Sequence, residues 1–220
     1  MKIIVLSATP QEVLPAYNFC SSNKSFAKKG FDIQFHSAGV GMLATTVQLM
    51  KLITTEKPNL IIQAGIAGSF DSTIKLGKVV LVEHEIIGDL GVEENGQWKD
   101  LFNLKFQQAN QFPFKKKLLT NKNIAQFNPL ELPVVTAITV NEISTNINRI
   151  EQLKTIYQPT IESMEGAALH YVCLDAKIPF LQIRSLSNYV GERDKTQWQL
   201  QKSIQQLNRV VLKYLKHFTK

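Results

Sequence analysis

Four short stretches carry side chains whose types and spacing could do chemistry on a small polar molecule. In "LSATPQEVLPAY", Glu12 follows Thr9 and Pro10. That order has the spacing of a capping box, with a hydroxyl residue at the N-cap, proline at the first helical position and a carboxylate on the first turn, so Glu12 can be a helix cap or a catalytic base. In "IESMEGAALHYVC", Glu162 and Glu165 precede Gly166, Ala167 and Ala168 at the start of an apolar helix. Acidic groups there complement the helix dipole. The small residues after Met164-Glu165 also let another backbone or a ligand come close, and a carboxylate in that place can accept two hydroxyl hydrogen bonds from a ribose. "IPFLQIRSLSN" runs an apolar strand through Arg184 to Ser187-Asn188. A guanidinium inside such a strand needs a carboxylate partner, because an unpaired buried charge is costly.

"SAGVGMLA" and "QAGIAGSF" place Gly39-Val40-Gly41 and Gly65-Ile66-Ala67-Gly68 where strands end. They predict two glycine turns whose backbone amides line a small-molecule crevice. The first stands where a dinucleotide-binding fingerprint would be, but the following strand, "NLIIQAG", has no acidic residue to hold a ribose.

The elements that must position these residues are legible as apolar runs and periodicities. Short runs at 2–6, 32–37, 60–64, 78–85, 133–140 and 180–186 read as strands, several apolar almost throughout, as strands covered on both faces are. Helical patterns fit 10–20, 42–56, 145–156, 164–177 and 197–218; the last repeats apolar residues from Leu200 to Phe218 at three- and four-residue steps. Residues 88–128 are polar and weakly periodic, a long excursion expected at the edge of an active site or a subunit interface. The fold class is therefore α/β, a central mixed or mostly parallel sheet sandwiched between helices.

Composition narrows the function. A chain of 220 residues, 44% hydrophobic and 20% charged, can bury one full core, so residues 1–220 read as a single domain. The opening apolar run of four residues is too short for a signal-peptide core or a membrane span, which makes a cytoplasmic protein the expectation. Cys20 and Cys173 are far apart and read as ordinary thiols, the second in a core. The net charge of +7 comes from scattered lysines; only Lys115-Lys116-Lys117 forms a run, without interleaved aromatics, so no nucleic-acid partner is expected. The histidines at 36, 84, 170 and 217 have no metal-ligand spacing.

Taken in order along nearly the whole chain, "SATPQE", "SAGVG", "AGIAG", "ESMEGAA" and "IRSLSN" resemble the nucleoside phosphorylase and nucleosidase superfamily, particularly the hydrolases of methylthioadenosine and adenosylhomocysteine. "GDLGVEENGQW" and "SNYVGERDKTQW" are similar to the futalosine hydrolases within it, enzymes of a menaquinone pathway. The resemblance implies a three-layer nucleoside phosphorylase-like fold. It implies that Glu12 positions and activates water, that Glu165 holds the ribose hydroxyls with Met164 under the sugar, and that Arg184 is the buried partner of Glu12. Asn188, after Ser187, stands where methylthioadenosine hydrolases carry an aspartate that protonates N7 of adenine. Trp198 lies at the spacing of an aromatic near the 5′ substituent.

The departures are informative. Ile66 replaces a serine after Gly65, Ser163 replaces an acidic residue before Met164, and Gln63 stands where hexameric phosphorylases carry an arginine. Loss of that guanidinium favours water over phosphate. The implied activity is hydrolysis of the N-glycosidic bond of futalosine, releasing hypoxanthine, with no metal or organic cofactor and with a homodimer as the expected assembly. Asn188, or else the loop from Val140 to Glu142, selects the base. The rivals are a methylthioadenosine/adenosylhomocysteine nucleosidase, a purine nucleoside phosphorylase and a non-catalytic nucleoside-binding protein.

Overall fold

The opening run Lys2–Ser7 forms strand β1, buried along nearly its whole length because it lies inside a sheet covered by helices. The computed structural model describes residues 1–23, 26 and 30–219. Helix α1 (Pro10–Ser22) leads to β2 (Asp32–Ser37), α2 (Met42–Glu56) and β3 (Leu60–Ser69); β1 lies between β2 and β3 and is parallel to both. Two parallel crossovers of this kind need a long connection each, and the predicted helical stretches supply it.

The second half is built differently. Strands β4 (Val79–Ile87), β9 (Val134–Thr139), β10 (Ile161–Ser163) and β11 (Phe180–Tyr189) close on β3 as a ring, in the order β3, β10, β9, β4, β11 and back to β3. Ala67, Val80, Val82, Ala137, Ile161 and Leu186, drawn from all five strands, pack together as its filling. The sheet is thus mixed and flanked by α1, α2, α3 (Ile147–Tyr157), α4 (Gly166–Asp175) and α5 (Leu200–Phe218), as expected. Its closure is the feature that the apolar runs do not announce.

Several expectations need correction. Gly65 to Gly68 do not make a turn: they lie within the ten-residue β3, which runs on past the end of β1 to pair with β10 and β11. The stretch 88–128 carries a hairpin of β5 (Gly91–Glu94) and β6 (Gln97–Asp100), and two short strands, β7 (Phe114–Lys115) and β8 (Leu118–Thr120), that extend the sheet from β4. Strand β10 has only three residues, too few for a periodicity. The lysine run ends in an ion pair, Lys117 to Asp100, 3.0 Å. Cys173 is buried and Cys20 half-buried, both free thiols.

The α4 helix begins at Gly166, so Met164 and Glu165 stand before it. What fixes this start is a buried polar cluster. The Glu85 carboxylate accepts hydrogen bonds from Gln182 Nε2 at 2.7 Å and Thr139 Oγ1 at 2.9 Å, and Thr139 Oγ1 accepts one from the Ala167 backbone N–H at 2.8 Å. A β-carbon at position 166 would collide with the Glu85 carboxylate and the Gln182 amide, so only glycine lets the first turn of α4 settle on this cluster. In α5 the stripe Leu207, Val211, Tyr214 and Leu215 packs into the core. Its first turns do something else, described below.

Burial pushes the Glu85 carboxyl up to about 7, against the bonds from Gln182 and Thr139, which lower it. The folded state therefore binds the proton more tightly than the unfolded chain does. This group favours folding below its unfolded value of about 4.5 and loses that contribution as pH rises toward 7. Thermal melting should fall between pH 5 and pH 8 for this reason, and Glu85→Gln should flatten that slope; an equally steep slope in the variant would exclude Glu85 as its source.

Candidate active site

Four elements deliver the candidate residues to one place. The chain leaves β1 at Ser7, and Thr9 caps α1; Thr9 N donates to Glu12 Oε2 at 3.0 Å, the carboxylate half of a capping box. The other oxygen is used elsewhere. Ile66 N, on β3, donates to Glu12 Oε1 at 3.0 Å. Glu12 is therefore a cap and also a tether to β3, which orients both of its oxygens; Oε2 also lies 3.5 Å from Thr9 Oγ1, while Oε1, with one donor, keeps a lone pair.

Glu165 occupies the N-cap position of α4, yet its side chain caps nothing. Its Oε1 accepts from the backbone N–H of Gly41 at 3.2 Å, and its Oε2 lies 3.3 Å from both Arg184 Nη1 and Nη2. Arg184 is 2% exposed, and its carboxylate partner is Glu165. The expected partner was Glu12, and that expectation is corrected: Glu12 is held by the two backbone N–H groups instead. The guanidinium also donates to Gln63 Oε1 at 2.9 Å and to the Ile66 carbonyl at 3.3 Å. Gly65 makes this possible. A β-carbon there would stand 2.5 Å from Arg184 Nη1 and 2.9 Å from Glu12 Oε1, so the missing side chain is the space that the two charged groups share. The first glycine turn contributes through Gly41, whose N–H points at the Glu165 carboxylate.

On β11, Ser187 Oγ donates to Asn188 Oδ1 at 2.8 Å, and Asn188 Nδ2 donates to the Tyr189 carbonyl at 3.0 Å. One amide hydrogen thus has the local, strand-ending role common for asparagine. The second remains for another acceptor.

Glu12, Ile66, Met164, Glu165, Ser187, Asn188 and Trp198 line one cavity of ≈ 340 Å3. That lies within the usual range of about 300–1,000 Å3 for small-molecule sites. Arg184 and Gly65 lie behind this wall, supporting it. Val140 is apart: it is buried and borders a neighbouring polar cleft with Asp89 and Arg149. The cavity also takes in side chains that were not singled out as site residues from the sequence: Val40, Ile143, Arg193, and Leu200 and Ile204 of the first turns of α5, together with Glu162. An apolar stripe on α5 reads as core throughout, and only the sheet's closure separates its cavity-facing start from its packed remainder. The signal for Glu162 is its place three residues before Glu165, on the three-residue β10.

Chemically the site is a mostly apolar slot with three buried carboxylates, Glu12, Glu162 and Glu165, an amide donor and an indole. Glu12 can accept a proton from a small nucleophile, and Glu165 can accept hydrogen bonds from hydroxyls. Among the described residues, no group of three or more His, Cys, Asp or Glu side chains is arranged to hold a metal ion. No helix among them is long and apolar enough to cross a membrane.

The chain is similar to known proteins. The chain is 28% identical over 195 residues to the futalosine hydrolase of Thermus thermophilus, covering 85% of this chain and 83% of that one. It is 27% identical over 165 residues to the 5′-methylthioadenosine/S-adenosylhomocysteine nucleosidase of Tolumonas auensis, covering 74% and 70%. Among solved structures, the futalosine hydrolase of Helicobacter pylori superposes with a TM-score of 0.79 at 17% identity, covering 99% of this chain and 98% of the other. The profile described as "Phosphorylase superfamily" matches residues 2–216, and the chain belongs to that superfamily.

Proposed function

We propose that this protein is an N-ribosyl hydrolase that cleaves the glycosidic bond of futalosine, releasing hypoxanthine and leaving dehypoxanthine futalosine, a step of menaquinone biosynthesis. The observation that carries this reading is the meeting in one cavity of Glu12, tethered by two backbone N–H groups, with Glu165, backed by Arg184, and Asn188. The relatives named above support it. Residues 1–220 act as one catalytic domain, in the cytoplasm, and pair as a homodimer.

In this reading Glu12 takes a proton from water as the water oxygen bonds to the anomeric carbon; the purine leaves as its anion with the electrons of the broken C–N bond and takes up a proton from solvent to become hypoxanthine, while Glu12 returns its own to solvent. The sugar passes through an oxocarbenium-like state. Glu165 accepts hydrogen bonds from the ribose hydroxyls, an interaction that strengthens as positive charge develops on the ring and so favours the transition state over the ground state. Met164 packs under the sugar, and Trp198 borders the 5′ substituent. The free Asn188 N–H donates to the O6 or N7 acceptor of the leaving 6-oxopurine, where an aspartate would set a carboxylate against the same lone pairs.

Water rather than phosphate is the nucleophile in this scheme. Gln63, which stands where hexameric phosphorylases carry an arginine, is buried and engaged by Arg184, so it offers no cation to an oxyanion. The nearest alternative, a methylthioadenosine/adenosylhomocysteine nucleosidase, is favoured by the similarity to the Tolumonas enzyme and opposed by the amide at Asn188.

Three measurements test the scheme. Base release from futalosine, inosine and methylthioadenosine should favour futalosine and proceed at full rate in phosphate-free buffer; a ribose-1-phosphate derivative as main product would falsify the hydrolase assignment. Glu12→Gln should lose roughly 10²- to 10⁴-fold in kcat. Because glutamine can accept from only one of the two N–H groups that Glu12 satisfies, the variant should also lose about 1–3 kcal/mol of stability. Near-normal turnover with lowered melting would reduce Glu12 to a structural tether. Glu165→Gln should fail in both assays, since it weakens hydroxyl binding and leaves Arg184 buried without a counter-charge, a loss of about 3–5 kcal/mol; a variant that melts like the wild type would show the pair to be dispensable.

A further inference from the structure

Arg193 lines the cavity without a part in the hydrolysis. It is exposed, and it is the only positively charged side chain among the described residues that line the cavity. Among those residues its guanidinium makes no ion pair and no hydrogen bond. What it meets is the Trp198 indole, whose ring centroid lies 5.6 Å from the Arg193 Cζ, within the reach of a cation–π contact. The acids on either side of it in sequence are engaged locally. Asp194 Oδ1 accepts from Thr196 N at 2.9 Å and Thr196 Oγ1 at 2.7 Å, and Glu192 Oε1 accepts from Asp194 N at 2.6 Å.

The loop that carries Arg193 is tied down at both ends. Val190 N donates to the Ser69 carbonyl at 2.8 Å, Trp198 Nε1 to the Glu192 carbonyl at 3.2 Å, and Gln199 N to the Ser187 carbonyl at 2.8 Å. The charge is therefore held beside the cavity, and its place there decides what it can meet. The buried lining carries Glu12, Glu162 and Glu165, so a negative charge on a ligand is repelled from that end. Arg193 belongs instead to the exposed lining, with Val40, Ile143 and Leu200, which are 57%, 41% and 43% exposed, and with the half-buried Trp198. That part of the wall is mostly apolar and carries a single charge.

We infer that Arg193 is a specificity residue for the far end of the substrate: it binds a carboxylate that terminates an apolar 5′ arm lying along Trp198 and Leu200. This rests on the nucleoside reading above and deepens it, since it names the substrate class as nucleosides with an anionic 5′ arm. In that reading Glu165 holds the sugar hydroxyls in the buried end, which leaves the exposed lining for the arm. An arginine against an aromatic face keeps the N–H groups at its edge for a carboxylate, and such charge-assisted, paired bonds are stronger than neutral ones. Futalosine fits this wall, because its 5′ chain ends in a benzoate. The neutral methylthio arm of methylthioadenosine leaves the guanidinium unused.

Futalosine and its carboxamide differ at the end of the arm in charge and little else, and Arg193→Met removes the cation while keeping an apolar stem against Trp198. In the wild type kcat/KM for futalosine should exceed that for the carboxamide by about 10-fold or more, the size of a hydrogen bond to a charged group, and in Arg193→Met the preference should vanish. Inosine, which has no arm, should react alike in both proteins. An unchanged futalosine-to-carboxamide ratio in the variant overturns the inference and leaves the hydrolase reading standing. If the wild type hydrolyses neither compound, the hydrolase reading fails, and calorimetric binding of the same pair decides the inference: tighter binding of futalosine by the wild type but not by the variant supports it, and equal affinities for the wild type overturn it. Should the variant not fold, the wild type decides alone, and a ratio near one overturns the assignment.

Discussion

The buried ion pair between Arg184 and Glu165 is the constraint around which the rest of the site is arranged. Arg184 lies in the middle of β11, in a strand that a charge would otherwise not enter, and Glu165 stands at the head of α4. An ion pair of this kind stabilises the fold little compared with a well-packed apolar pair, because desolvation offsets most of the attraction. Its value is positional. The guanidinium also bonds Gln63 and the Ile66 carbonyl on β3, so one side chain sets the relation between β3, β11 and the start of α4. Gly65 gives it room, and the same gap brings Glu12 within reach of the Ile66 N–H.

A second buried carboxylate, Glu85, supports the arrangement from the other side of Gly166. It has hydrogen-bond donors but, among the described residues, no ion pair, and burial raises it to about 7 against the opposing influence of those donors and of the more distant Arg184. The two acids illustrate how environment divides roles among identical groups: one faces a cation and the cavity, the other faces an amide and a hydroxyl in the interior. Both act on the same turn of chain. Glu165 and Gly166 cannot move without breaking one set of contacts or the other.

Much of this was legible. Helix α2 and strand β2 run over the same residues that the periodicity gave, and α1, β1, β4 and β9 differ only at their ends. Seven of the expected site residues line one cavity, because the stretches that carry them lie at strand ends and helix starts, where α/β folds place ligands. What failed did so for identifiable reasons. The run "AGIAGS" was read as a turn because glycines punctuate chains, yet Gly65 and Gly68 serve close approach inside a strand. Residues 88–128 read as a weakly periodic excursion, because strands of two to four residues show no period. Val140 was grouped with the base site as part of the loop to Glu142, the alternative to Asn188, but it borders the adjacent cleft.

The sequence by itself determined the local pattern: which segments are apolar enough to be buried, where α1 and α2 begin, and that Arg184 requires a carboxylate. These follow from periodicity and from the cost of an unpaired charge, which depend on neighbours along the chain and on solvent alone. Which carboxylate it meets was decided only by the tertiary structure. Glu12, Glu162 and Glu165 are all candidates in a linear reading. Closure of the five strands sends Glu165 to Arg184, ties Glu12 to Ile66, and leaves Glu162 beside Asn188 across Gly68, because the pairing register decides which side chains share a face and no one segment of the chain contains that register.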